Sequence, residues 1–265
     1  MGSDVVLKTR PAPAGAGTRV DWRAVCTFYA MACGFSWPLL WVRDRHPDLW
    51  AAWGLPGVVQ SWLPAFGPLL AGIAARWLFR RTHTARIGLT GTSRVRSLGF
   101  ALILVATMTV AGLPDRPHLT GLLYSGAFLV YGFCEETGWR GFLQDALHPL
   151  PEPQRYVLIG LLWGVWHFTT FLSGSPRQVG LRLALLSLLW IGGSWGIGAA
   201  VEATRSLTVA ALFHVTFNLF RSLSLGTTLT VLVPCVVAWV WLLRTWPAPP
   251  ADENANSTAQ DSAGV

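Results

Sequence analysis

The sequence predicts an all-α fold, a polytopic bundle of about eight helices that cross a membrane. Three observations predict it. Apolar residues make up 52% of the chain and charged ones 12%, whereas about a quarter of the residues in a soluble domain are charged. The mean hydropathy is positive. The apolar residues also gather into runs of roughly 20, the length that crosses a hydrocarbon core.

Taken in order, the runs predict helices over about 22–42, 58–79, 97–113 and 119 into the Glu135 motif, then 155–172, 180–201, 207–223 and 227–243. The second contains Pro64 and Pro68, which a membrane helix tolerates where neighbours satisfy the freed carbonyls. Residues 1–21 are polar with Pro, Gly and Ala, show no cleavable signal pattern, and are expected to form a disordered cytoplasmic lead. Residues 244–265, ending "PAPPADENANSTAQDSAGV", lack apolar residues to bury and are expected to be a disordered tail. That leaves one membrane domain, 22–243.

Charge distribution sets the topology. Of the 20 Lys and Arg, only Lys8 is a lysine. On an eight-helix topology Arg43, Arg45, Arg116, Arg177, Arg182 and Arg221 fall opposite the N-terminus, and the other 14 fall on its side. Cytoplasmic loops carry such an excess, so both termini are expected in the cytoplasm. The net charge of +7 is therefore read as topology charge and not as a nucleic-acid footprint. The densest group is Arg76, Arg80, Arg81, Arg86, Arg94 and Arg96. The near-absence of lysine suits a GC-rich bacterial genome, and with it a bacterial plasma membrane. Cys26, Cys33, Cys134 and Cys235 lie inside apolar runs without a CxxC pair, which supports neither a disulfide framework nor a thiolate zinc site.

Ionisable residues near the bilayer centre each cost roughly 2.5–3.5 kcal/mol and mark functional sites by default. In this chain they are Glu135, Glu136 and Arg140 on the fourth helix, His167 on the fifth, and His214 with the amide Asn218 on the seventh. Glu136 and Arg140 are four apart with the acid first, the favourable order for a helical ion pair. Glu135 then lacks a partner in its own segment, and an apolar site prepares such a carboxylate for general-base work. "HVTFN" puts His214 and Asn218 one turn apart on one face, where both can donate to an oxyanion. "WGVWHFTTF" surrounds His167 with aromatics and offers its imidazole as a partner for Glu135 and a water. Any one of these is an ordinary packing residue; three helices each contributing inward polar groups are not. No HExxH, GxSG or GxGD motif is present, and "GGSWG" at 192–196 reads as a helix-packing face. A proton-relaying transporter is disfavoured because the chain shows no corresponding halves.

"EETGWR", "WGVWH" and "HVTFN", with the flanking "RGFLQDAL" and "FGPLLAGIA", resemble the ordered motifs of the CPBP (Abi) family of intramembrane proteases, which includes the CAAX prenyl endopeptidases. The family-like core covers about 58–223. The resemblance implies that Glu135, with His167, activates a water, that His214 and Asn218 hold the oxyanion, and that Glu136 and Arg140 support the first glutamate. Trp163 stands where the family's second motif has Phe, and is a candidate for shaping a substrate groove. No cofactor is expected; were zinc bound, Glu135, His167 and His214 would be its ligands. The implied function is hydrolysis of a peptide bond in a membrane-associated protein or peptide, with the bilayer as setting and no nucleic acid. The rival is a non-proteolytic immunity or scaffold protein of the same family.

Overall fold

The computed structural model describes residues 19–55, 57–83, 85–111, 118–168, 175–222 and 224–247. They are helical nearly throughout. The helices are α1 (Trp22–Arg45), α2 (Pro47–Ala52), α3 (Gly57–Trp62), α4 (Phe66–Leu78) and α5 (Arg94–Ala111). They continue with α6 (His118–Gly138), α7 (Glu152–Trp166), α8 (Pro176–Thr204), α9 (Leu207–Ser222) and α10 (Leu225–Arg244). By length and composition α1, α5, α8 and α10 can each cross a membrane.

Each predicted run is helical, with informative departures. The second is broken into α3 and α4 around Pro64. Proline cannot continue the amide ladder, and the Ser36 hydroxyl on α1 takes up the Pro64 carbonyl at 2.7 Å. The fifth was expected to reach residue 172, but α7 ends at Trp166 and His167 caps it; residues 169–174 lie outside the described ones. α8 is longer than its apolar run because Ser175 and Gln178 form a capping box before it. The expected lead and tail lie outside the described residues except for 19–21 and 244–247.

Small residues let the helices approach closely, as in other membrane bundles. A Cβ on Gly138 would stand 2.4 Å from the Pro68 carbonyl oxygen of α4, and one on Gly132 2.8 Å from that of Ala211 on α9. These two glycines hold α6 against α4 and α9. The "GGSWG" expectation is corrected: a Cβ on Gly192 or Gly196 meets nothing within 4 Å. Packing between α7 and α8 instead uses Gly160, whose added Cβ would lie 2.7 Å from the Ile191 Cα, and Gly198 against Tyr156. The four cysteines are free, with Cys26 exposed and the rest buried.

At the arginine-rich end, the segment after α4 is stitched to the α8–α9 turn. Gly88 N–H donates to the Arg205 carbonyl at 3.0 Å and Leu207 N–H to that of Gly88 at 2.9 Å. Gly91 packs so tightly here that a Cβ would meet the Thr204 carbonyl oxygen at 2.0 Å, and its φ of +58° suits glycine.

Candidate active site

The acidic motif sits where α6 stops being an ordinary helix. After Gly138 the chain passes into a π-helical stretch, Trp139–Gln144, that is buried throughout. Such bulges recur at functional sites because they re-aim side chains and free carbonyls. Within this stretch the Gly141 carbonyl accepts from the Arg76 guanidinium of α4.

Glu135, Glu136 and Arg140 are fully buried. A buried charge is tolerable only when paired and hydrogen-bonded. The Arg140 Nη1 lies 3.0 Å from Glu136 Oε1 and 2.9 Å from Oε2. On the far side, His214 Nδ1 meets Glu136 Oε1 at 2.6 Å. Glu136 therefore bridges α6 to α9, and the imidazole it holds turns Nε2 towards the neighbouring acid.

That neighbour is Glu135, whose two oxygens differ. Its Oε2 accepts from the Trp163 indole N–H at 2.9 Å. Its Oε1 lies 3.9 Å from His214 Nε2, longer than a direct hydrogen bond. The Tyr131 hydroxyl, one turn earlier on α6, also hydrogen bonds this carboxylate. Glu135 thus has a partner in its own segment, contrary to the sequence expectation, which considered cations and overlooked the phenol.

Trp163 is the hub of the site. Its ring lies 5.2 Å from that of His214, and the Arg140 guanidinium stacks over it at 4.9 Å. The expected groove position becomes an interior one, since Trp163 is 4% exposed. Its height in the bundle is fixed by α1, where the Tyr29 hydroxyl donates to the Leu162 carbonyl at 3.0 Å and the Trp37 indole to that of Trp166 at 3.1 Å. The Trp166 carbonyl is one of those left open at the end of α7.

His167 caps α7, half-buried, with Nδ1 3.0 Å from the Trp163 carbonyl oxygen. An N–H there directs the Nε2 lone pair away from its own backbone. The ring stacks on Trp190 at 5.0 Å, and lies close enough to Glu135 to interact with it electrostatically. Asn218 follows His214 by one turn of α9 and is half-buried. Among the described residues no three His, Cys, Asp or Glu side chains gather so as to hold a metal ion.

Residues 117–220 match the family model Rce1-like, described as type II CAAX prenyl endopeptidase Rce1-like. The family resemblance holds. The matched Rce1-like segment spans α6 to α9 and carries all three motifs. It is narrower than the core expected from the sequence, leaving α4 and the supporting α1 outside. At family level, and for this segment, the match supports a CAAX-protease-type membrane endopeptidase. No curated protein matches the chain. Sequence reasoning missed Tyr131 and the donor role of Trp163. The signal available for both was spacing: Tyr131 lies four residues before Glu135 and Trp163 four before His167.

Proposed function

We propose that this protein hydrolyses a peptide bond in a membrane-associated protein or peptide, using a water activated by Glu135. The observation that carries the reading is the asymmetry of the Glu135 carboxylate. One oxygen is fixed by Trp163, while the other faces His214 Nε2 across 3.9 Å, a separation that one water bridges.

In this reading Oε1 removes a proton from that water as its oxygen attacks the substrate carbonyl carbon. The negative charge moves to the carbonyl oxygen, where the His214 Nε2–H and the Asn218 amide donate to it. Collapse of the tetrahedral adduct breaks the C–N bond, and the proton held by Glu135 passes to the leaving amine. His167 helps hold the water. Glu136 and Arg140 touch no reacting atom; they hold His214 and the first glutamate in position. Burial of Glu135, Glu136, Arg140 and His214 limits bulk water and fixes the geometry in advance. In this reading no step is routed through a metal. The arginine distribution supports a site facing the cytoplasm, with both termini on that side of a bacterial plasma membrane.

The test compares new protein N-termini in membranes of cells carrying wild type or Glu135→Gln at equal abundance. Ends present only with the wild type, and unchanged by a metal chelator, are the expected result. Identical profiles would sink the peptidase reading in favour of a binding role for the same bundle.

A further inference from the structure

The arginine-rich end holds a second polar feature apart from the acids of α6. A cavity of about 210 Å³ opens there, lined by Arg76, Arg80, His83, Gly141, Phe142 and Asp145. Its donors and acceptors are unequal: two guanidiniums and an imidazole surround one carboxylate. That carboxylate is already engaged, since Asp145 Oδ2 accepts from the Arg86 N–H at 2.9 Å and lies 3.7 Å from Arg76 Nη2. Arg76 is tied in turn to the Gly141 carbonyl. The His83 Nε2 is shielded from solvent and has no hydrogen-bond partner, and its ring stands edge-on to Phe142 at 5.8 Å. The cavity thus has donor capacity in excess of its acceptors, and guanidinium with imidazole suits an oxyanion.

The approach to the cavity says which anion. Along α4, Leu70, Ile73 and Trp77 are exposed, at 47%, 54% and 65%. The spacings of three and four residues line them up on one helix face. The Arg80 guanidinium sits 5.2 Å above the Trp77 ring and donates to the Trp77 carbonyl at 3.2 Å. An aromatic ring with a cation over it, at the end of an apolar stripe, is the arrangement of a membrane interface. Basic pockets on that side of a membrane receive lipid headgroups.

We propose that this cavity binds the phosphate of an anionic phospholipid whose acyl chains lie along the Leu70–Ile73–Trp77 stripe. Two of the arginines read from the sequence as topology charge, Arg76 and Arg80, are then a binding site. The occupant would rest on the π-helical stretch through Gly141, one residue beyond Arg140. The inference needs the chain to lie in a membrane but does not need it to be a peptidase.

The test uses the full chain in lipid nanodiscs of phosphatidylcholine, with phosphatidylglycerol titrated in, and follows the unfolding midpoint. Arg80→Gln and His83→Gln are the informative variants, because neither side chain holds two helices together. Phosphatidylglycerol is expected to raise the wild-type midpoint above that in phosphatidylcholine alone. Each variant should need roughly tenfold more of it for the same rise, the scale of one charge-assisted hydrogen bond. Inorganic phosphate added to pure phosphatidylcholine discs separates the sources: a full rise that the variants abolish would overturn the lipid assignment. Equal midpoints in the two lipids, or a rise that both variants retain, would overturn the site itself.

Discussion

Replacing Trp163 by Phe tests the site more sharply than deleting a catalytic group. Phe is the residue the resembling family carries at this position, so the ring is retained and the indole N–H is lost. Glu135 Oε2 then loses the donor 2.9 Å away, in a place where the carboxylate is fully buried. A hydrogen bond to a charged group contributes about 1.5–3 kcal/mol. If that bond aims Oε1 at the water, its loss converts to roughly a 10- to 150-fold fall in kcat. KM should stay near its wild-type value, because Trp163 is 4% exposed and has no surface to offer a substrate. The assay is the initial rate of product-end formation against substrate concentration, in purified protein, with a substrate taken from the N-terminal profiles. A rise in KM at constant kcat would return Trp163 to a groove role. Wild-type kinetics on both axes would refute the positioning argument.

Three further outcomes are expected. Glu136→Gln should reduce the amount of folded protein as well as activity, because it strands the buried Arg140 and releases His214; breaking a buried pair costs about 3–5 kcal/mol, measured as the shift of a denaturant midpoint. Gly138→Ala should destabilise by about 1–3 kcal/mol without touching a polar group, since its Cβ would meet the Pro68 carbonyl oxygen at 2.4 Å; an unchanged melting curve would show that α4 is free to move away. His83 gives a pH dependence. Burial holds its imidazole below the ordinary 6.5, with Asp21 opposing and Arg76 assisting, while Arg80 and Asp145 line the same cavity. The unfolded chain therefore takes up the proton first, and stability is lost as pH falls below about 6.5. His83→Gln should flatten that limb of the stability curve, and an unaltered limb would assign it to other groups.

The polar inventory of the site could be read from the chain because the membrane makes charge expensive. Glu135, Glu136, Arg140, His167 and His214 stand out against apolar neighbours, and helical spacing alone gives the Glu136–Arg140 pair. What spacing could not give is contact between helices. Glu136 reaches His214 across 78 positions of sequence, at 2.6 Å, and this depends on Gly132 allowing α6 and α9 to touch. The indole donor was equally hidden. Trp163 reads as bulk in an aromatic run until its N–H is seen on Glu135. The break at Pro64 was visible as a proline, but the Ser36 hydroxyl that accommodates it lies on another helix. The failed "GGSWG" expectation has a related cause, since a small-residue pattern states that a close approach is possible and not which neighbour uses it.

The adjacent glutamates divide the labour through their surroundings. Glu136 lies between a guanidinium and an imidazole, both within 3.0 Å, so its charge is spent on holding α6 and α9 together. Glu135 accepts from neutral donors, an indole and a phenol, and His214 Nε2 stands 3.9 Å from its other oxygen. Exchanging the two environments would ruin both roles. The one-residue offset, about 100° around the helix, is what separates them: it turns one acid towards Arg140 and the other towards α7. Arg140 nevertheless reaches Glu135 indirectly, because its guanidinium stacks on the same indole that donates to that acid. Trp163→Phe and Glu136→Gln should therefore be non-additive. Each disturbs a contact on which the other depends, and a double variant whose loss equals the sum of the two would show that the glutamates act independently.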